Sequence, residues 1–141
     1  MRFVRMTLKA VVCIGVFAIL GARAEVQRIY IGTYTSGTSE GIYVADFDSS
    51  SGAIGNLRVA VKTENPSFLA KHPTLPVIYA VGEMVKEPDG DGGTVSAFRM
   101  EESGGLAPIN RASSVGAGPC HVAVAPSGKH VAVANYSGGS T

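Results

Sequence analysis

Six residues of this sequence carry groups that could bind a small molecule and exchange protons with it. Histidine is the side chain that most often serves as a general base, so His121 suits this role, and Glu83 is a second candidate for proton transfer. Hydrolysis of an ester-like bond also needs a donor for the developing oxyanion, and phenol and amide groups can supply one. The four residues predicted to bind a substrate are Tyr34, Ser67, Asn135 and Tyr136.

Three other reactive side chains, those of His72, Cys120 and His130, are not expected to act in this candidate site. His72 and His130 both adjoin predicted turns, so we interpret them as turn or surface residues. Cys120 is the neighbour of His121. Adjacent residues of a strand point to opposite faces of the sheet, so a cooperating thiolate–imidazole pair is not expected.

The segment Asp89–Gly93 (DGDGG) is similar to the start of a calcium-binding loop. It lacks the third acidic ligand and the closing glutamate of that motif. We therefore interpret it as a flexible loop between two strands. The sequence predicts neither a metal site nor a cofactor.

The first 24 residues have the features of a secretory signal peptide. Three basic residues lie among the first nine, residues 10–20 form an apolar run of 11 residues, and residues 22–24 (Ala-Arg-Ala) have the small–x–small pattern of a cleavage site. A membrane-spanning helix needs roughly 20 residues, so no stable membrane insertion is expected after cleavage behind Ala24. The alternative is an uncleaved N-terminal anchor. The protein is predicted to be exported, either to the periplasm or out of the cell.

The predicted mature part begins near Glu25 and carries eight basic and eleven acidic residues, a net charge of −3. Binding to a nucleic-acid backbone needs clustered Lys and Arg, and no such cluster is present, so nucleic acid is excluded as a partner. Cys120 is the single cysteine after the signal. An internal disulfide is therefore impossible, and either the core or further chain must hold the fold together.

Short apolar runs rich in Val, Ile, Tyr and Phe follow the signal, with Gly, Ser, Pro or Asp between them. This pattern is typical of many short β-strands and predicts an all-β fold. The nine predicted strands are Arg28–Tyr34, Ile42–Phe47, Leu57–Thr63, Phe68–Lys71, Val77–Gly82, Thr94–Met100, Ile109–Ser113, His121–Ala125 and His130–Asn135.

The strand pattern repeats along the chain. A shift of 53 residues places Pro66–Leu69 on Pro119–Val122, and residues 30–37 align with residues 132–139. Each repeat has about 50 residues and four strands, which suits one blade of a β-propeller with four-stranded antiparallel blades. We name the strands of a blade A to D, from the inside of the ring outwards.

The repeats divide the mature part into three blades. Residues 25–65 hold strands B to D of the first blade, residues 66–118 a complete second blade, and residues 119–141 strands A and B of a third. About 2.3 repeats cannot close a ring, because each blade buries its apolar faces against its neighbours. The chain is therefore expected to be the N-terminal part of a longer propeller, inactive alone, with the remainder of that propeller as its partner.

The alternating direction of the strands places the start of strand A and the end of strand B at one end of a blade. His121 starts an A strand and Asn135 ends the following B strand, so both are expected at this end, which we call the mouth. By the repeat, Asn65–Ser67 and Glu83 are expected at this end one blade earlier, and Thr33 and Tyr34 in the first blade. The mouth, near the ring axis, is the predicted ligand site.

The ordered series of turn and strand motifs resembles the lactonase family of seven-bladed propellers, which includes bacterial 6-phosphogluconolactonases and fungal 3-carboxymuconate lactonizing enzymes. The matching motifs are YIGTYT (30–35), GIY (41–43), NPSFL (65–69), YAVGE (79–83), GTVSAF (93–98), GPCHV (118–122) and NYSGG (135–139). The resemblance covers nearly all of the predicted mature part. It implies seven blades in the full-length protein.

The resemblance also implies an exported enzyme that hydrolyses a sugar lactone, in the manner of a 6-phosphogluconolactonase. The alternatives are a 3-carboxymuconate cyclase-like lactonizing enzyme and a non-catalytic propeller that binds a ligand or a protein. The family's main acid–base residues are expected in later blades, so none is carried over to this sequence. A phosphorylated substrate would also require Arg or Lys, and none falls at the predicted mouth.

Overall fold

Among the residues that the structure describes, nine β-strands form from the predicted apolar runs. The computed structural model describes residues 26–85 and 92–141. The strands are β1 (Val26–Ile31), β2 (Gly41–Asp48), β3 (Ile54–Lys62), β4 (Leu69–Lys71), β5 (Val77–Gly82), β6 (Thr94–Met100), β7 (Leu106–Ser113), β8 (Pro119–Val124) and β9 (Val131–Asn135).

The strands pair antiparallel with their sequence neighbours and form three sheets. Their orders are β1-β2-β3, β4-β5-β6-β7 and β8-β9. The middle sheet has the predicted order A to D, and the first and third sheets have the predicted partial sets. The all-β fold and the four-stranded repeat are therefore confirmed for the described residues.

Several strand ends differ from the prediction, and two of these differences have a local reason. The first strand ends at Ile31 instead of Tyr34, because Gly32 lies against the neighbouring sheet: a Cβ there would overlap the carbonyl oxygen of Pro66. Strand β7 begins at Leu106 instead of Ile109 and contains Pro108. Proline is tolerated there because β7 is the outer strand of its sheet.

The principal core lies between the first two sheets. Its buried members are Ile42, Ile78, Ala80, Phe98 and Leu106. Burying one large side chain of this kind contributes about 1.5–3 kcal/mol. Strand β8 packs against β4 and β5, where Val81 and Val122 are each 1% exposed. The apolar faces of adjacent sheets thus pack against each other. This packing fixes the relative positions of the strand ends at the mouth.

His72 is a turn residue, one of the two alternatives that the sequence left open, and its side chain is buried. The turn satisfies the buried imidazole, because Nδ1 accepts hydrogen bonds from the backbone N–H groups of Thr74 and Leu75, at 3.2 and 2.9 Å. Its Nε2 lies 3.2 Å from the carbonyl oxygen of Gly128 in the next sheet. His130 is exposed, as predicted.

Two predictions fall outside the described residues: the signal peptide of residues 1–24 and the aspartates of the Asp89–Gly93 loop. Within residues 26–85 and 92–141, no helix is long and apolar enough to cross a lipid bilayer.

Candidate functional site

The chain leaves the first sheet directly after β1 and carries Tyr34 toward the second sheet. Thr33 donates its hydroxyl hydrogen to the carbonyl oxygen of Gly41, at 2.7 Å, which fixes the turn in the segment between β1 and β2. The Tyr34 side chain is 58% exposed. Its position after β1 corresponds to that of Glu83 after β5.

Tyr34, Ser67 and Glu83 form a hydrogen-bonded group that we call the mouth cluster. The Tyr34 hydroxyl donates to Oε2 of Glu83 at 2.9 Å, and the Ser67 hydroxyl donates to the same oxygen. Ser67 lies just before β4 and Glu83 just after β5, so antiparallel pairing brings them to one end of the second sheet. The structure therefore brings together three of the six predicted residues, from two sheets.

The mouth cluster orients one carboxylate through two hydroxyl donors. Because both donors use Oε2, the other oxygen of Glu83 remains able to accept a hydrogen bond from a ligand. The hydrogen bond to Glu83 is the largest cause that raises the pKa of Tyr34 above its ordinary value of 10.0, and the negative charge of Glu83 acts in the same direction. Tyr34 therefore keeps its proton and remains a donor to the carboxylate.

His121 lies in β8, the strand of the third sheet that packs against β4. Its imidazole is exposed and stacks on the ring of Phe68, with ring centroids 4.3 Å apart and planes inclined by 46°. Phe68 and His121 occupy equivalent positions under the 53-residue shift, so the same site in two successive repeats supplies both rings. Sequence reasoning missed the role of Phe68, although this equivalence was a usable signal.

Cys120 takes part in a different contact from its neighbour. Its Sγ lies 3.7 Å from the carbonyl oxygen of Ala134, to which the thiol can donate, and a register shift in β8 separates Pro119 from His121. The Cys120 thiol therefore contacts β9, whereas the His121 imidazole contacts Phe68 beside the second sheet.

Asn135 is 3% exposed, and its side chain holds two segments of backbone together. Its Nδ2 donates to the carbonyl oxygen of Ser114 at 3.1 Å and to the hydroxyl of Ser140 at 3.2 Å. Oδ1 is buried without a hydrogen-bond partner among the described residues. Substrate binding by Asn135 stays a prediction, and this geometry favours a structural role.

Tyr136 follows Asn135 and is 83% exposed. Its backbone N–H donates to the carbonyl oxygen of Gly118 at 2.8 Å, and Gly118 in turn donates to Met84 of the second sheet at 2.9 Å. Tyr136 therefore lies at the mouth end of its sheet, as expected from the repeat. Its role as a substrate-binding residue stays a prediction.

Other surfaces of the described residues offer less chemistry. No group of three or more His, Cys, Asp or Glu side chains in residues 26–85 and 92–141 could hold a metal ion. A groove of about 270 Å³ lies between the second sheet and β9, and Tyr79, Val95, Ala97 and Val133 are among its lining residues. This mainly apolar groove contains no member of the mouth cluster, so the cluster remains the better candidate site.

Comparison with known proteins agrees with the fold. Residues 28–141 match the family described as "Lactonase, 7-bladed beta-propeller". The chain is 36% identical over 111 residues to the 6-phosphogluconolactonase of Bacillus subtilis, covering 78% of this chain and 30% of that protein. It is 33% identical over 113 residues to the 6-phosphogluconolactonase of Formosa agariphila, covering 77% of this chain and 31% of that protein.

A solved structure is similar in both fold and sequence. The periplasmic gluconolactonase of Pseudomonas aeruginosa superimposes with a TM-score of 0.72 at 31% identity, over 80% of this chain and 32% of that one. The chain thus spans about a third of the length of the relatives it matches. Because the family match extends over most of the chain and over all three sheets, the chain belongs to the lactonase family of seven-bladed β-propellers.

Proposed function

We propose that this protein, at its full natural length, hydrolyses a sugar lactone. The observation that supports this most directly is the mouth cluster: Tyr34 and Ser67 orient the carboxylate of Glu83 at the end of the sheets where β8 presents His121. The named relatives, 6-phosphogluconolactonases and a gluconolactonase, act on substrates of this class.

Hydrolysis of a lactone adds water across the ester bond of the ring. In the proposed mechanism, the His121 imidazole accepts a proton from the attacking water, whose oxygen bonds to the carbonyl carbon. The imidazolium then returns this proton to the ring oxygen as the carbon–oxygen bond breaks, which yields the open hydroxy acid. Stacking on Phe68 restricts rotation of the imidazole during both transfers.

Glu83 touches the substrate in this mechanism. Its free oxygen accepts hydrogen bonds from sugar hydroxyls and thereby places the carbonyl carbon beside the water. Tyr34 and Ser67 support this role because they hold the carboxylate in one orientation. Tyr136, exposed at the same end of its sheet, contributes a ring face against which the sugar packs.

The preferred substrate is proposed to be a neutral lactone rather than a sugar phosphate. The carboxylate of Glu83 attracts hydroxyl donors and repels phosphate groups. Export supports the same choice, because sugar phosphates are scarce outside the cytoplasm. The solved relative from Pseudomonas aeruginosa is a periplasmic gluconolactonase, which is compatible with an exported protein of this family.

Export is proposed to depend on residues 1–24, with cleavage behind Ala24. Mass spectrometry of the protein recovered from a periplasmic extract tests this directly. A mature N-terminus at Glu25 supports the proposal. Recovery of the uncleaved chain in the cytoplasmic fraction would contradict it.

The activity is tested with the protein at its full natural length on a panel of lactones that includes glucono-1,5-lactone and its 6-phosphate. The expected result is hydrolysis of the neutral lactone, with kcat/KM reduced about 10²–10⁴-fold by His121→Ala. His130→Ala is the matched control, because His130 is exposed and adjoins a turn. If the His121→Ala variant is as active as the His130→Ala control, His121 has no part in the mechanism. If the wild-type protein hydrolyses none of the lactones, the proposed function is wrong.

A further inference from the structure

Asn65 occupies an unusual backbone conformation next to the mouth cluster. Its φ is +42°, in the left-handed region that residues other than glycine seldom adopt and that Asn tolerates best. It lies two residues before Ser67, between the last strand of the first sheet and the first strand of the second. Its side chain is partly buried.

The Asn65 side chain holds the segment that carries Tyr34. Its Oδ1 accepts a hydrogen bond from the backbone N–H of Thr35 at 2.9 Å and another from the Thr35 hydroxyl at 3.1 Å. The backbone N–H of Asn65 donates to the same hydroxyl oxygen at 3.2 Å. Thr35 directly follows Tyr34, so these three bonds restrain the backbone from which the Tyr34 ring extends.

The Asn65 carbonyl holds the other two members of the cluster. It accepts hydrogen bonds from the backbone N–H groups of Ser67, at 2.8 Å, and Glu83, at 3.0 Å. The left-handed conformation lets one residue direct its amide oxygen to the first sheet and its carbonyl oxygen to the second. Asn65 is thus bonded to the neighbour of Tyr34 and directly to Ser67 and Glu83.

We propose that Asn65 is the positioning residue of the mouth cluster, which fixes Tyr34 relative to Ser67 and Glu83 and so sets the orientation of the carboxylate that binds the lactone. This proposal rests on the proposed lactonase function. Asn65 itself need not touch the substrate. Its effect on catalysis is transmitted through the hydrogen bond between Tyr34 and Glu83.

The physical reason is the narrow tolerance of a reacting geometry. A displacement of about 1 Å at a catalytic group can reduce the rate about 10²-fold. Tyr34 belongs to the first sheet and Glu83 to the second, so small movements between the sheets would separate the hydroxyl from the carboxylate. Asn65 opposes that movement with bonds to both sheets.

The test uses the protein at its full natural length with Asn65→Gly as the main variant. Glycine keeps the left-handed conformation and the backbone N–H and carbonyl, but it removes Oδ1 and with it two of the three hydrogen bonds to Thr35. We expect kcat for the neutral lactone to fall about tenfold or more. Asn65→Asp retains an acceptor oxygen and is expected to restore kcat to within about fivefold of the wild type.

A double-mutant cycle separates positioning from a general structural effect. If Asn65 acts through Tyr34, then Asn65→Gly combined with Tyr34→Phe should reduce kcat no further than the larger single effect. Independent, multiplicative losses would overturn the proposal. Thr35→Val removes two of the three bonds without changing Asn65, and it should reproduce part of the kcat loss if Asn65→Gly does not fold.

Asn56→Gly is the matched control. Asn56 also has a positive φ, of +53°, and donates a side-chain hydrogen bond, to Asp46 at 2.8 Å, but it lies in β3 outside the mouth cluster. We expect its kcat to be unchanged. Equal kcat losses in the Asn56→Gly and Asn65→Gly variants would overturn the proposal.

A readout that does not require activity distinguishes this proposal from the function on which it rests. The Tyr34 titration, obtained as the absorbance difference between the wild type and Tyr34→Phe, should move to lower pH in Asn65→Gly because the hydroxyl separates from Glu83. An unchanged titration overturns the positioning role, even where lactonase activity is present. A shifted titration in a protein that is inactive on every lactone supports the positioning role and refutes only the proposed function.

Discussion

The imidazole of His72 joins two neighbouring sheets by donating a hydrogen bond from Nε2 to the carbonyl oxygen of Gly128, 3.2 Å away. The tautomer follows from the other ring nitrogen, because Nδ1 accepts hydrogen bonds from two backbone N–H groups and therefore carries no proton. The buried His72 side chain thus accepts hydrogen bonds from two backbone N–H groups of the turn before β5 and donates one to a carbonyl group of the turn before β9. This contact lies at the end of the sheets opposite the mouth.

Replacement of His72 by alanine is expected to lower the free energy of unfolding by about 1–3 kcal/mol, because it leaves two N–H groups and one carbonyl without their partner. The measurement is chemical denaturation of the full-length protein. His130→Ala is the control, since His130 is exposed and its loss should change stability by about 0.5 kcal/mol or less. Equal effects of the two substitutions would show that the interaction between the turns contributes nothing.

Gly128→Ala tests the same contact from the opposite side. A Cβ at Gly128 would lie 2.5 Å from Cε1 and Nε2 of His72, and its φ is +72°. Gly52→Ala is a matched control, because Gly52 has a φ of +74° but no atom within 4 Å of the point that a Cβ would occupy. Both variants carry the left-handed strain of about 1 kcal/mol, and only Gly128→Ala should lose about 1–3 kcal/mol more through overpacking. Similar thermal midpoints for the two variants would contradict the close approach.

Gly32→Ala should disturb the contact between the first two sheets. A Cβ at Gly32 would overlap the carbonyl oxygen of Pro66, which is backbone and cannot move aside easily. We expect destabilisation of about 1–3 kcal/mol, together with a lower kcat because Tyr34 lies two residues further along the chain. Gly55→Ala, where no atom lies within 4 Å, is the control. The prediction fails if Gly32→Ala matches that control in both denaturation and activity.

The pKa of Tyr34 is expected to lie above 10.0, chiefly because its hydroxyl donates to Glu83. The contribution of this interaction to stability is therefore fully present below pH 10 and is lost as the pH rises through the higher folded-state value. Absorbance titration of the tyrosinate, taken as the difference from Tyr34→Phe, measures this pKa. Glu83→Gln should bring it back toward 10.0, and a wild-type midpoint at or below 10.0 would contradict the assignment.

Much of the fold could be predicted from local sequence. The strands Val77–Gly82 and Thr94–Met100 were predicted with the bounds that the structure shows. The first apolar run ends at a glycine, and the second lies between two glycines and two glutamates. The 53-residue repeat predicted the order of strands in the middle sheet. The ends of β1 and β7 were predicted less well, because the close approach of Gly32 to Pro66 depends on an adjacent sheet and Pro108 is acceptable only on an outer strand.

The candidate site was predicted in part. The repeat placed Ser67 and Glu83 at one end of a sheet, and the structure joins them by a hydrogen bond. The same reasoning predicts substrate binding by Asn135, and this stays a prediction; in the structure its side chain is bonded to Ser114 and Ser140. Repeat equivalence fixes where a residue lies in its blade, but the direction of its side chain depends on the neighbouring turn.

The sequence alone determined the strand periodicity, the turns and the number of sheets, because alternation of apolar residues and the conformational preferences of glycine and proline act over a few neighbouring positions. Only the tertiary structure decided that His72 is buried, that Tyr34 reaches Glu83 across 49 residues of sequence, and that Asn65 bonds both sheets. These relationships depend on how two sheets pack face to face. Packing of this kind brings together residues from different repeats. Such contacts cannot be predicted from the local sequence of either repeat.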